Sequence, residues 1–90
     1  MLLPFAVFSQ QETIFSGQII TEEPLLSPVY IINITRQKGG VSELSGHFSV
    51  AVNKGDSLVF SSVQYKKKTI VIDREKLQQS NFTIKLEEDL

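Results

Sequence analysis

The chain contains no cysteine, which removes a disulfide framework, a thiolate zinc site and a cysteine nucleophile from consideration. It has one histidine, His47, too few for a histidine-rich metal centre. Neither sign of charge is in excess. Nine Lys and Arg face ten Asp and Glu, a net charge of -1, so no overall field draws in nucleic acid or anionic lipid. No apolar run approaches the roughly 20 residues that a membrane-crossing helix needs. What remains is 90 residues, 41% hydrophobic and 21% charged, enough for one small domain and too little for two. A chain this short buries only about 60% of the surface its unfolded form exposes, so its stability margin is thin.

Residues 1–9, Met1 to Ser9, are uncharged and almost wholly apolar, and they abut the polar Gln10-Gln11-Glu12. They end with Val7 and Ser9 at a spacing that a signal peptidase accepts. This segment is expected to be the remnant of a secretory signal peptide, although the basic stretch that ordinarily precedes such a core is missing; an N-terminal strand is the alternative. Residues 10–90 are then the mature single domain, outside the cytoplasm. A chain without cysteine is compatible with an oxidising compartment.

From residue 13 onward apolar positions recur mostly at period two, β-branched residues are abundant, and Gly, Pro, Asn and Asp punctuate the chain at short intervals. That pattern predicts an all-β sandwich of seven strands. The first covers 13–21, with Phe15, Gly17 and Ile19 on one face, and stops at Glu22-Glu23-Pro24. The second, 29–36, is apolar on both faces and reads as central. A turn at Gln37-Lys38-Gly39-Gly40 leads to a short strand at 41–44 and a break at Ser45-Gly46. Residues 47–63 read as a hairpin. Phe48, Val50 and Val52 lead to a turn at Asn53-Lys54-Gly55-Asp56, Leu58 and Phe60 continue the buried face, and a slip of phase suggests a bulge near Ser61. The sixth strand runs from Lys66 to Ile72, and Phe82, Ile84 and Leu86 belong to the seventh. Between them residues 73–79 fit one short helical turn, capped by Asp73 with Leu77 turned inward.

Chemical signals are few. Nucleophilic or acid–base catalysis by His47 would need an orienting carboxylate and a positioned hydroxyl or water, and Glu43, four residues away, does not specify one. No catalytic residue, cofactor or metal is expected. Scattered acids at Asp56, Asp73 and 87–89 lack the spaced pattern of a calcium loop. Asn33-Ile34-Thr35 and Asn81-Phe82-Thr83 match the glycosylation sequon, but both fall in expected strands. Lys66-Lys67-Lys68 is the one local charge cluster. On a strand Lys66 and Lys68 share a face, with Ile70 and Ile72 in phase with Lys68. Its expected purpose is protection of a sheet edge from strand addition. The alternative is a docking patch for an acidic partner or a phosphate headgroup; without interleaved aromatics, nucleic acid is not expected.

Taken in order, Phe15-Ser16-Gly17-Gln18-Ile19, Glu23-Pro24-Leu25, Val29-Tyr30-Ile31, the run from Gly40 through Gly46-His47-Phe48 to Val50, Lys54-Gly55-Asp56-Ser57-Leu58, and Tyr65-Lys66 resemble the carboxypeptidase-regulatory-like domain family. The resemblance covers roughly residues 13–87 and implies a transthyretin-like, Greek-key β-sandwich. Two departures stand out: Ser42-Glu43 where the family has Thr-Asp, and Gln64 where a Gly precedes Tyr65. The motif positions Gly17, Pro24, Gly46, Phe48, Gly55, Asp56 and Tyr65 are expected to have folding roles. Members of the family are accessory modules of metallocarboxypeptidases or N-terminal domains of TonB-dependent outer-membrane receptors. The resemblance therefore implies a non-enzymatic structural or protein-interaction module in the bacterial periplasm or at the outer membrane, with a protein partner. A carbohydrate- or peptide-binding module of a secreted hydrolase assembly is the alternative. Ureide hydrolases that share the fold use several His and Arg and a terminal Tyr-Arg-Gly-Ser, which this chain lacks.

Overall fold

The computed structural model describes residues 12–89, so the expected signal segment at 1–9 lies outside the described residues. Two sheets pack on one core in an all-β, sandwich-like arrangement. The strands are β1 (Thr13–Ile20), β2 (Tyr30–Asn33), β3 (Lys38–Val41), β4 (His47–Val52), β5 (Ser57–Ser61), β6 (Lys68–Val71) and β7 (Phe82–Lys85), with one short helix, α1 (Arg74–Gln78), before β7. One sheet has the order β4-β1-β7 and the other β3-β2-β5-β6. Neighbours are antiparallel except β1 and β7, which run parallel. Among the described residues no helix is long and apolar enough to cross a membrane.

Alternation along each strand decides which side chains meet inside. Phe15, Ile19, Phe48, Val50, Val52 and Ile84 point inward from the smaller sheet, and Ile31, Leu58 and Phe60 from the larger, with Ile72 following β6. Phe48 joins the layers: its ring lies 6.0 Å from that of Phe15 and meets Phe60 edge-on at 5.3 Å. Gly17 makes room for this ring, because a Cβ there would lie 2.8 Å from Phe48 Cζ and 2.7 Å from the Phe82 carbonyl oxygen. The helical turn is capped by Asp73, whose carboxylate accepts the Lys76 N–H at 2.8 Å, and Leu77 packs half-buried against the core.

Several expectations need correction. Residues 47–63 do not form a hairpin: β4 pairs with β1, and β5 pairs with β2 and β6. The turn at 53–56 is present, with Asp56 N–H bonded to Asn53 O and Gly55 at φ +93°, but it carries the chain from one sheet to the other. Both strands have large apolar inner residues, and facing them across the core buries more than setting them side by side. The second strand ends at Asn33, since its buried amide accepts the Arg36 N–H at 3.2 Å and folds 34–37 into a turn. That turn precedes the expected one, so Lys38, Gly39 and Gly40 belong to β3, and residues 42–46 turn instead of extending. In place of a bulge at Ser61, the chain leaves the sheet. The Ser62 hydroxyl accepts the N–H groups of Gln64 and Tyr65, Val63 stands fully in solvent, and β6 begins only at Lys68.

Candidate interaction site

Because the inner halves of the strands are committed to the core, the outer halves are what the molecule presents. On the larger sheet, Tyr30 sits between Val41 and Ser61, and Ile32 between Gly39 and Val59. Thr69 continues the second row and Val71 lies beside Ser57. Tyr30 is 59% exposed, Ile32 41%, Val41 56% and Val71 54%, and Ile34 continues the face beyond β2 at 52%. None of these positions carries a charge. On the smaller sheet the outer face is polar at its centre. Ser16 and Ser49 share a hydrogen bond of 2.8 Å, and Gln18 stands between His47 and Thr83 while donating its Nε2 to the Ser45 carbonyl. Ile14 and Ile20 flank that centre at the two ends of β1.

Where the two sheets come together beyond β7, residues 64–66 run against 87–89. Tyr65 bridges Glu88, the Lys66 N–H donates to Glu87 O at 2.8 Å, and the Asp89 N–H donates to Gln64 O at 3.1 Å. Tyr65 is buried here and, with Pro24, Leu26, Gln64, Glu23 and Glu88, lines an open cleft of about 480 Å³. Two motif positions far apart in sequence, Pro24 and Tyr65, thus meet. Lys68 alone of the lysine run lies in a strand, opposite Phe60, while Lys66 and Lys67 belong to the preceding loop. Lys66, Lys67, Lys68, Lys85 and Glu87 surround a cleft of about 220 Å³.

The other motif positions lie away from this seam. Gly46 closes the 42–46 turn at φ +94°, its N–H donating to Glu43 O and its carbonyl accepting the Ile19 N–H. Asp56 is the centre of a buried polar network that ties the 53–56 turn to β2 and β4. Its Oδ2 accepts from Asn33 Nδ2 at 2.8 Å, from Arg36 Nε at 2.9 Å and from the Asn53 N–H at 2.8 Å, and Asn33 Nδ2 also reaches Ala51 O. Burial raises the affinity of this carboxyl for its proton, but the hydrogen bonds from Asn33 and Asn53 and the Arg36 charge outweigh it and hold the pKa below the ordinary 3.8. Asn33 is therefore structural, and its burial removes it as a glycosylation acceptor in the folded chain. His47 is exposed, and among the described residues it forms no ion pair.

Sequence reasoning placed the turn at 53–56 and singled out the lysine run, though only Lys68 of it lies in the expected strand, and it missed three features: the bare outer face around Ile32, the Asn33 network and the 64–66 seam. The apolar doubling of β2 was the visible signal for the first. No protein-family model matches this sequence, and no curated protein matches it.

Proposed function

We propose that the chain is a non-catalytic, exported β-sandwich module that holds another protein in the bacterial periplasm or at the outer membrane, as the carboxypeptidase-regulatory-like resemblance implies. The observation that carries this reading is the uncharged apolar face of the larger sheet, formed by Tyr30, Ile32, Val41 and Val71. A contiguous apolar patch of this kind marks a protein contact site. The partner it fits is an apolar, uncharged protein surface, because a charge pressed onto these side chains would lose its water without gaining a counter-ion. Covering what these four side chains and Ile34 present would contribute roughly 5 kcal/mol before the cost of association. The sheet orders β4-β1-β7 and β3-β2-β5-β6, in which the chain changes sheet after β1, β3, β4 and β6, support a Greek-key, transthyretin-like reading of the fold.

The test is site-specific photo-crosslinking of the exported chain in a Gram-negative host, with the photoreactive residue at Ile32 or, as control, at Ser49. A discrete adduct with one protein, identified by mass spectrometry, is expected from position 32, absent from position 49 and lost when Val71→Lys is added. Equal labelling from both faces, or none from position 32, overturns the reading. A carbohydrate or peptide ligand in the cleft beside Tyr65 would leave position 32 silent.

A further inference from the structure

Apart from the apolar face, the outer edge of β7 is a feature that the proposed function leaves unused. Among the described residues β7 is an edge of the smaller sheet, as β6 is of the larger, and no described strand pairs with the outer side of β7. The direction of the unused groups follows from the pairing. The Leu86 N–H donates to the Ile20 carbonyl, and β1 and β7 are parallel, so residues 82, 84 and 86 spend their backbone groups on β1. Thr83 and Lys85 direct theirs to the open side. Lys68 Nζ confirms that direction by reaching across from β6 to donate to the Lys85 carbonyl at 3.2 Å.

On the side that faces β6 the charge at this edge is mostly basic, whereas the adjoining cleft past Lys85 is lined by Glu22, Glu87 and Glu88. Lys66, Lys67, Lys68 and Lys85 border the 220 Å³ cleft beside it, with Glu87 the one acid among the lining residues. The ion pairs among the described residues are Arg36–Asp56, Lys38–Glu12 and Lys76–Asp73, so none engages these four ammonium groups. A chain of net charge -1 thus gathers four of its nine cations beside one exposed strand edge.

We propose that the β7 edge accepts an extended acidic peptide segment as an added strand, its backbone pairing with Thr83 and Lys85 and its carboxylates facing Lys66, Lys67, Lys68 and Lys85. Strand addition obtains affinity from main-chain hydrogen bonds and specificity from side chains. Lysines on an edge repel apolar and basic strands, which keeps copies of the chain from pairing with one another. The same lysines attract an acidic strand, so edge protection and partner choice are two results of one charge pattern. The incoming strand must replace the Lys68 contact on the Lys85 carbonyl, which frees that ammonium for a carboxylate.

The test uses the whole chain and fluorescein-labelled hexapeptides read by anisotropy. One peptide alternates Glu with Val, a second alternates Lys with Val, and a third is the acidic peptide N-methylated on the amides of one edge. Binding of the acidic peptide is expected to be at least tenfold tighter than that of either other peptide. It should weaken at least tenfold in the double variant Lys66→Glu, Lys67→Glu, whose side chains are exposed and make no hydrogen bond. Thr83 and Lys85 amide resonances should shift on binding. Equal affinity for the acidic peptide and its N-methylated form would show charge attraction without strand addition, and affinity unmoved by the double variant would place the peptide elsewhere; either overturns the proposal.

Discussion

The outer faces of the two sheets obey one rule and expose opposite chemistry. Both come from strands whose alternate residues are buried, yet one face is centred on Ser16, Gln18, His47 and Ser49 and the other on Tyr30, Ile32, Val41 and Val71. The difference teaches that burial dictates only half of each strand. The inner half is fixed by the need to fill the core, so Ile31 and Phe60 have few substitutes. The outer half is free of that demand. A polar outer face needs nothing beyond water, whereas an apolar one exposes surface that water disfavours, and such a face persists where a contact covers it.

The sharpest way to break this contrast is to place the same charge on adjacent residues of β2. Ile31→Lys buries an ammonium among Leu58, Phe60 and their neighbours and should cost at least about 4 kcal/mol, enough to unfold a domain with a thin margin. Ile32→Lys, one residue on, should stay within about 0.5 kcal/mol of the parent in urea unfolding. Similar losses from both would mean that the outer face is already covered within the chain. Next in size is Asp56→Ala, which strands Asn33 and Arg36 and should cost about 3 kcal/mol by the same measurement. The pH dependence has a definite sign. Because the folded carboxyl holds its proton less tightly than the unfolded one, its stabilisation is complete above about pH 4 and is lost as pH falls through the folded value, and Asp56→Ala should remove that acid-limb slope. The smallest structural effect belongs to the polar face. Ser49→Ala breaks the hydrogen bond to Ser16 and should cost no more than about 1 kcal/mol, since both hydroxyls can turn to water.

Much of the fold was legible in particular residues. Phe15, Gly17 and Ile19 gave β1 its inner face, Asp73 marked the start of α1, and Gly55 marked a turn that needs positive φ. What could not be read was which strands would be neighbours. Phe48, Val50 and Val52 followed by a four-residue turn and Leu58 and Phe60 describe a hairpin and a crossing between sheets equally well, because alternation records depth and not partner. The boundary between β2 and β3 was hidden for another reason: it depends on Asn33, whose amide is bent into the turn by a carboxylate 23 residues away. The lysine run was visible as charge. Its place beside β7 was not, because Lys85 joins it only through the parallel pairing of β1 and β7. Likewise Pro24 and Tyr65 meet at a cleft only because 87–89 fold back on 64–66.

The central claim is that the face around Ile32 is the one that meets a partner. It is tested most directly by methyl-labelled NMR, titrating the chain with the protein captured by crosslinking. Methyl signals of Ile32, Val41 and Val71 should broaden or shift while those of Ile14 and Ile20, equally exposed on the opposite sheet, stay in place; perturbation at Ile14 and Ile20 instead, or uniform changes over both faces, would contradict it.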